Sequence, residues 1–348
     1  MRKPIKIGGV EIKPGEDITV DLKVPDLYTH AGITLPVQVI HGRKEGPILF
    51  LSAALHGDEI NGVEIIRRIL RDKRVKKIRG TLLAIPVVNI YGFINKSRYL
   101  PDRRDLNRSF PGSVTGSLAA RMAHVFLNDI VAIATHGIDL HTAAIHRENF
   151  PHVRAVMDDE KTEQMARAFA MPVILNTSIV SGSLRESAEK AGTAVIVYEA
   201  GEALTFDEAS IRGGVNGILS TMRDIGMLPR RKKSRKEYVP LITESSTWVR
   251  ASQSGILRVM AGLGATVQKK DLLGIISDPF GTKDEEVKAT ANGIIIGRTT
   301  TPLVNEGEAL FHIARFKSSE KVEDQADELQ NLLDPDNYRP GQAEPPIV

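Results

Sequence analysis

PILFLSAALHGDEINGVEIIRRILRDKRV, residues Pro47–Val75, is the stretch from which the fold class is read. Its first nine residues, Pro47–Leu55, are an apolar run of the kind that fills a strand covered on both faces of a parallel sheet. From His56 the pattern changes, with apolar residues at Ile60, Val63, Ile66, Ile69 and Leu70, the spacing of one helix face. The same rhythm continues downstream. Thr81–Asn89 reads as a second buried strand, Gly116–Ile133 as a helix, and Thr135–Leu140 as the approach to a third strand end. Val153–Met157 and Pro172–Leu175 read as strands around a helix at Asp159–Ala170; Glu186–Ala191 is helical, Ala194–Tyr198 is a strand, and a helix from Phe206 to Met227 closes the series. Buried strands alternating with amphipathic helices predict an α/β fold, a mostly parallel sheet with helices on both faces.

Upstream, residues 1–45 read as a β-rich segment, with alternation in EDITVDLKV and LPVQVIHG. Residues 46–228 form the α/β domain, 229–240 a linker, 241–316 a small β-barrel-sandwich domain, and 317–348 a polar tail expected to be disordered. The third assignment rests on an internal echo. SGILRVMAGLGATVQKKDLLGIIS is answered by ANGIIIGRTTTPLVNEGEALFHIA, with Gly255-Ile256 matching Gly293-Ile294, Val267 matching Val304 and Asp271 matching Glu308. Each half predicts strand, turn, strand, turn, strand, so two halves can wrap into one small barrel.

Composition narrows the function. The chain has 348 residues, 42% hydrophobic and 26% charged, enough to bury a sizeable core. It has no cysteine, which excludes disulfides, thiolate nucleophiles, cysteine zinc sites and iron–sulfur clusters. Any metal must be held by His, Asp or Glu. The 46 basic and 43 acidic residues leave a net charge of +3, too balanced to imply a nucleic-acid partner. The basic run RRKKSRKEYV, between Pro229 and Pro240, reads as a solvated linker without the interleaved aromatics of a base-stacking surface. No apolar segment has the length of a secretory signal or a membrane span. A cytoplasmic protein without membrane or nucleic-acid partners is expected, with homo-oligomerisation left open.

The chemistry concentrates in four places. Ala54-Leu-His-Gly-Asp-Glu-Ile60 falls where a buried strand gives way to a helix, the rim on which open α/β sheets place ligands. His56 and Glu59, three residues apart, can point the same way there, and imidazole nitrogen and carboxylate oxygen are both zinc donors. Alone, such a pair is usually a polar surface feature. A further donor, His141, ends the third strand in Ile138-Asp-Leu-His-Thr142, and His₂Glu with one open position is a ligand set of catalytic zinc. The loop Arg98–Gly112 is packed with guanidinium groups suited to carboxylates and developing oxyanions, or to surface ion pairs. Finally, Val197-Tyr-Glu-Ala-Gly-Glu202 ends a buried strand, where a carboxylate is ion-paired, hydrogen-bonded or functional. Glu199 lies nearer the strand end than Glu202 and is the preferred general base.

In this order, HGDE, SRY…DLNRSFPG, DLHT and YEAGE resemble the succinylglutamate desuccinylase/aspartoacylase family, relatives of the zinc carboxypeptidases. The resemblance spans roughly residues 45–205, and residues 250–315 look like the extra domain of bacterial members. It implies a zinc-carboxypeptidase-like sheet and one Zn²⁺ per chain, held by His56, Glu59 and His141. It further implies Glu199 and Arg98 as catalytic groups, the arginine polarising the scissile carbonyl, with Arg103 and Arg104 as competitors for that role. Asn107 and Arg108 match the pair that grips the substrate carboxylate. The implied function is a zinc-dependent amidohydrolase, a deacylase that uses metal-activated water on the amide of an N-acyl amino acid or similar small carboxylate-bearing amide. Two alternatives stand beside it: a zinc carboxypeptidase acting on short peptides, and a non-catalytic carrier or binding module suggested by the biotinyl/lipoyl-like repeat. The hairpin DPFGTKDEEVKAT carries Lys283 and Lys288 but no Met-Lys-Met-like sequence.

Overall fold

The computed structural model describes residues 2–29, 31–230, 240–243 and 245–315. Most of the basic linker and the whole of the 317–348 tail therefore lie outside the described residues. Four parallel strands form the centre of the main sheet, in the spatial order Arg79–Ile85, Lys44–Ala53, His136–Ala143 and Ala194–Glu202. They are the apolar runs read from the sequence. Beside Arg79–Ile85, the strands Thr34–His41 and Asp17–Lys23 extend the sheet antiparallel. The strand beginning at Arg79 ends at Ile85 rather than at Asn89, because Asn89 turns to cap the short helix Ile90–Ile94, accepting from the Gly92 N–H at 2.8 Å.

Helices cover both faces, as expected. Asn61–Arg71, Glu160–Phe169 and Glu208–Asp224 pack Ile65, Ile66, Met165, Phe169, Ile218 and Met222 against one face. Leu118–Asp129 and Leu184–Lys190 bring Met122, Phe126, Leu184 and Ala188 to the other. Four of these helices start on side-chain caps, from Ser117, Asp159, Ser183 and Asp207, each accepting from the first turn's N–H groups. Among the described residues no helix is long and apolar enough to cross a membrane.

The strand Arg147–Ala155 forks the sheet. It runs antiparallel to Ala194–Glu202, six residues earlier at its start than the apolar pattern suggests. On its other side residues 147–149 pair with Gly293–Thr299, whereas residues 152–155 pair with Val173–Asn176. Pro151 sits between the two partners, where a missing N–H breaks no ladder bond on that side. Through this fork the C-terminal strands are continuous with the main sheet, in the order Ser246–Arg250, Ala309–Arg315, Gly293–Thr299, Arg147–Ala155.

The echo in the sequence is visible as structure. The first half gives strands Gly255–Val259, Thr266–Val267 and Leu272–Ser277; the second gives Gly293–Thr299, Leu303–Val304 and Ala309–Arg315. Each half lends its short middle strand to the other, Thr266–Val267 pairing with Gly293–Thr299 and Leu303–Val304 with Gly255–Val259. Leu273, Ile276, Ile295, Leu310 and Ile313 fill the space between them.

Candidate active site

At the end of strand Lys44–Ala53, Ala54 adopts a left-handed backbone with φ 47°, uncommon for a residue with a Cβ. Two bonds pin the turn, from the N–H of Val88 to Ala53 O at 3.0 Å and from Asn89 to Ala54 O at 2.9 Å. Gly57 is required for a different reason: a Cβ there would stand 2.0 Å from the carbonyl carbon of Gly92. His56 and Glu59 therefore occupy a tight turn just before the helix Asn61–Arg71, with the Glu59 N–H donating to His56 O at 3.1 Å. His141 comes from the neighbouring parallel strand, whose Leu140 is in register with Ala53.

Glu59 is the hub of this corner. Its Oε1 lies 2.7 Å from His56 Nδ1, and its Oε2 lies 2.7 Å from His141 Nδ1. The Thr142 N–H also donates to Oε2, at 3.2 Å. The opposite imidazole nitrogens are held by carboxylates, His56 Nε2 by Asp105 at 3.1 Å and His141 Nε2 by Asp139 at 2.7 Å. Ser52 Oγ in turn donates to Asp139 at 2.7 Å. One donor atom from each of His56, Glu59 and His141 falls within 4.8 Å of the others, and all three residues are buried. Burial alone would raise the Glu59 pKa, but the two imidazoles reverse this and hold the carboxyl far below its usual range. Burial likewise opposes charge on His141, and Asp139 with Glu59 overcomes it, pushing the imidazole up. Two Nδ1 atoms facing one carboxylate, each ring oriented by a carboxylate behind it, is the pattern of histidines that bind metal. The donor set fits a divalent ion. Asp105 takes the orienting place beside His56, while Asp58, the nearer acid in sequence, has a buried Oδ1 without a partner.

The Arg98–Gly112 loop divides by role. Arg98 reaches the corner, donating to Glu59 Oε1 at 3.1 Å and to Asp105 at 3.0 Å. Arg103 and Arg104 are exposed and do not line the cavity, whereas Arg98 lines it beside Glu59. Arg108 lines the cavity, with its guanidinium bonded at 2.6 Å to Asn107 O. Asn107 also faces the cavity, but its Oδ1 is committed to the N–H of Leu184 at 2.9 Å. Among the described residues its amide nitrogen makes no hydrogen bond.

Glu199 stands in register with His141 on one side and His152 on the other, so the three share one cross-strand row. Asn149 Nδ2 donates to its Oε2 at 3.1 Å, and Arg154 approaches Oε1 at 3.4 Å. Glu202 is turned elsewhere, accepting from the His146 N–H at 2.8 Å and from Thr300 Oγ1 at 3.2 Å.

His56, Glu59, Arg98, Arg108, His141 and Glu199 line one cavity of about 450 Å³. Sequence reasoning missed part of its lining. Among the described residues, Arg154 has a buried Nε without a partner, and Arg185 is hydrogen-bonded only to Thr177 Oγ1, at 3.3 Å. Burial, reinforced by Arg154, pulls the Arg185 pKa down to about 10. The signal for Arg154 is present in HVRAV, where period-2 alternation puts His152 and Arg154 on one face of an otherwise apolar strand. Ser246, Trp248 and His312 complete the wall from the C-terminal strands.

The family model of the succinylglutamate desuccinylase/aspartoacylase catalytic domain matches residues 45–225. The N-alpha-acetyl-L-2,4-diaminobutyric acid deacetylase of Halomonas elongata is 26% identical over 314 residues, covering 86% of this chain and 91% of that protein. Among solved structures, the product-bound ectoine utilization protein EutE (DoeB) of Ruegeria pomeroyi is similar with a TM-score of 0.77 at 23% identity, over 86% of this chain and 95% of the other. A succinylglutamate desuccinylase/aspartoacylase from Rhodobacter sphaeroides gives 0.75 at 22% identity, over 87% and 97%. At these identities the structural likeness speaks for the fold alone.

Proposed function

The chain belongs to the succinylglutamate desuccinylase/aspartoacylase family, and from that premise we propose that it is a zinc-dependent deacylase hydrolysing the amide of a small N-acyl amino acid. The observation that carries the reading is the convergence of His56, Glu59 and His141 donor atoms within 4.8 Å, at a cavity that Glu199 and Arg98 also line. His56, Glu59 and His141 would hold the zinc ion, which supplies a Lewis acid able to make water nucleophilic near neutral pH. Glu199 takes the proton of the attacking water as oxygen adds to the carbonyl carbon. Arg98 stabilises the negative charge that develops on the carbonyl oxygen. When the C–N bond breaks, Glu199 returns the proton to the leaving amine, giving a carboxylic acid and a free amino acid. Arg108 and the Asn107 amide hold the substrate carboxylate at the rim, while Arg185 and Arg154 keep the inner cavity positive. The name of the Halomonas relative supports an acetyl group as one candidate acyl. A wall built by Trp248 and His312 favours small amides over peptides.

Zinc content, measured on the purified protein and on its His56→Ala variant, tests this directly. About one zinc per chain, lost in the variant, together with chelator-sensitive hydrolysis of N-acyl amino acids, is expected. Hydrolysis that survives complete metal removal, or activity confined to peptides, would overturn it.

A further inference from the structure

The cavity has more guanidinium than its carboxylates can pair. Arg98 is taken by Glu59 and Asp105, Arg154 by Glu199, and Glu148 is itself taken by Arg298 at 3.1 Å. Arg108 and Arg185 also lack an ion pair among the described residues, but they bond Asn107 O and Thr177 Oγ1; Arg147 makes neither an ion pair nor a side-chain hydrogen bond among those residues. Its guanidinium carbon lies 5.1 Å from the ring centroid of Trp248. Trp248 is stacked on His312, with centroids 4.3 Å apart and planes 6° from parallel. A cation held over a ring face makes no hydrogen bond to it, so the guanidinium N–H groups remain available to an acceptor.

The position of this stack follows from strand register. Trp248, His312, Gly297 and Asn149 are consecutive partners across four adjacent strands. Gly297 adds no side chain to that row; a Cβ there would come within 3.1 Å of Asn149 Oδ1 and 3.3 Å of His312 Cβ. Without a side chain at Gly297, Asn149, which holds Glu199, and His312 close in on each other across the row. His312 adds no charge of its own: burial, then His152, Arg154 and Arg147, pull its pKa down to about 3. Among the described residues of this wall, Arg147 is thus the charge without an ion pair.

Building on the deacylase reading of the same cavity, we propose that Arg147, fixed on the Trp248–His312 stack, is a charge-selecting subsite. It binds a second carboxylate of the substrate, remote from the scissile amide, and disfavours a substrate with a free ammonium group in that place. Two groups from the C-terminal domain thereby set specificity for chemistry performed in the other domain.

Two measurements test this. Kinetics of the zinc-loaded protein compare N-acetylaspartate, N-acetylalanine and N-alpha-acetyl-2,4-diaminobutyrate. The expected preference for the diacid over the neutral substrate is roughly 10- to 100-fold in kcat/KM, the contribution of one charged hydrogen bond. Arg147→Gln abolishes it, Arg147→Lys retains part, and Trp248→Phe weakens it less than Trp248→Ala. A ratio unchanged in Arg147→Gln, or equal losses on all three substrates, overturns the subsite. The second measurement needs no turnover. Trp248 is the sole tryptophan, so its fluorescence reports binding of glutarate against butyrate. Saturable change with glutarate at lower concentration than with butyrate, lost in Arg147→Gln, is expected; equal responses overturn the proposal. If no N-acyl amino acid is hydrolysed, the deacylase reading fails while the fluorescence arm still decides the subsite.

Discussion

The two ends of the cavity are built by opposite means. The corner proposed to hold the metal is local: His56 and Glu59 share one turn, and His141 lies on the strand beside it. The far wall is assembled from Arg147, on the forked strand Arg147–Ala155, and from Trp248 and His312, on two paired strands that join the main sheet through it. The first arrangement writes itself into short motifs, whereas the second is written only in register. The largest test of this contrast is His141→Ala. It should remove zinc and bring hydrolysis to background together, while Trp248→Ala should leave zinc content unchanged, as measured by elemental analysis of both proteins. Loss of zinc in Trp248→Ala would mean that the two ends are not separable.

Glu199 belongs to both ends, because its row runs from His141 to His152 and its own hydrogen bond leads to Asn149. Glu199→Gln should therefore keep zinc and lose about 10²–10⁴ in kcat, the usual contribution of general acid–base catalysis. Near-normal turnover in that variant would remove Glu199 from its proposed role and return attention to the other acids of the cavity.

What the sequence disclosed divides along the same line. The apolar runs at Pro47–Leu55 and Ala194–Tyr198 fixed strands because a strand buried on both faces admits few polar residues. Gly255-Ile256 and Gly293-Ile294 disclosed the repeat because both halves obey the same packing constraint. The start of the Arg147–Ala155 strand was hidden, since Arg147, Glu148 and Asn149 face or border a polar cavity and Pro151 looks like a strand breaker. Its pairing with Gly293–Thr299 depends on tertiary contacts more than 140 positions apart in the chain. Asp105 was legible as part of DLNR but not as the partner of His56, because sequence proximity points to Asp58 instead.

The carboxylates behind the imidazoles sharpen the comparison at a smaller scale. Asp139 Oδ2 fixes His141 at 2.7 Å, and Asp105 fixes His56 at 3.1 Å. Asp139→Asn should weaken zinc affinity by about 10- to 100-fold, the range seen when such orienting partners are lost. Competition with a zinc-binding dye reads this without reference to turnover. Asp105→Asn should weaken it in the same direction while also releasing Arg98, which donates to Asp105 at 3.0 Å, so its kcat should fall further than its zinc affinity accounts for. Equal effects of the two variants on kcat at saturating zinc would show that Asp105 does not position Arg98.

The smallest effect is expected in the same loop. Arg103 and Arg104 are exposed, and neither lines the cavity. Arg103 adopts a left-handed backbone with φ 63°, so Arg103→Gly relaxes strain rather than adding it. Arg103→Gly and Arg104→Ala should each change kcat/KM by less than about twofold, as surface substitutions remote from a site do. Arg98→Ala, only a few residues away, should cost about 10²–10³ if it stabilises the developing oxyanion. The pair of results separates position in the fold from position in the sequence. A loss in Arg104→Ala approaching that of Arg98→Ala would mean that the loop rearranges on binding substrate, bringing a solvent-facing guanidinium into the cavity.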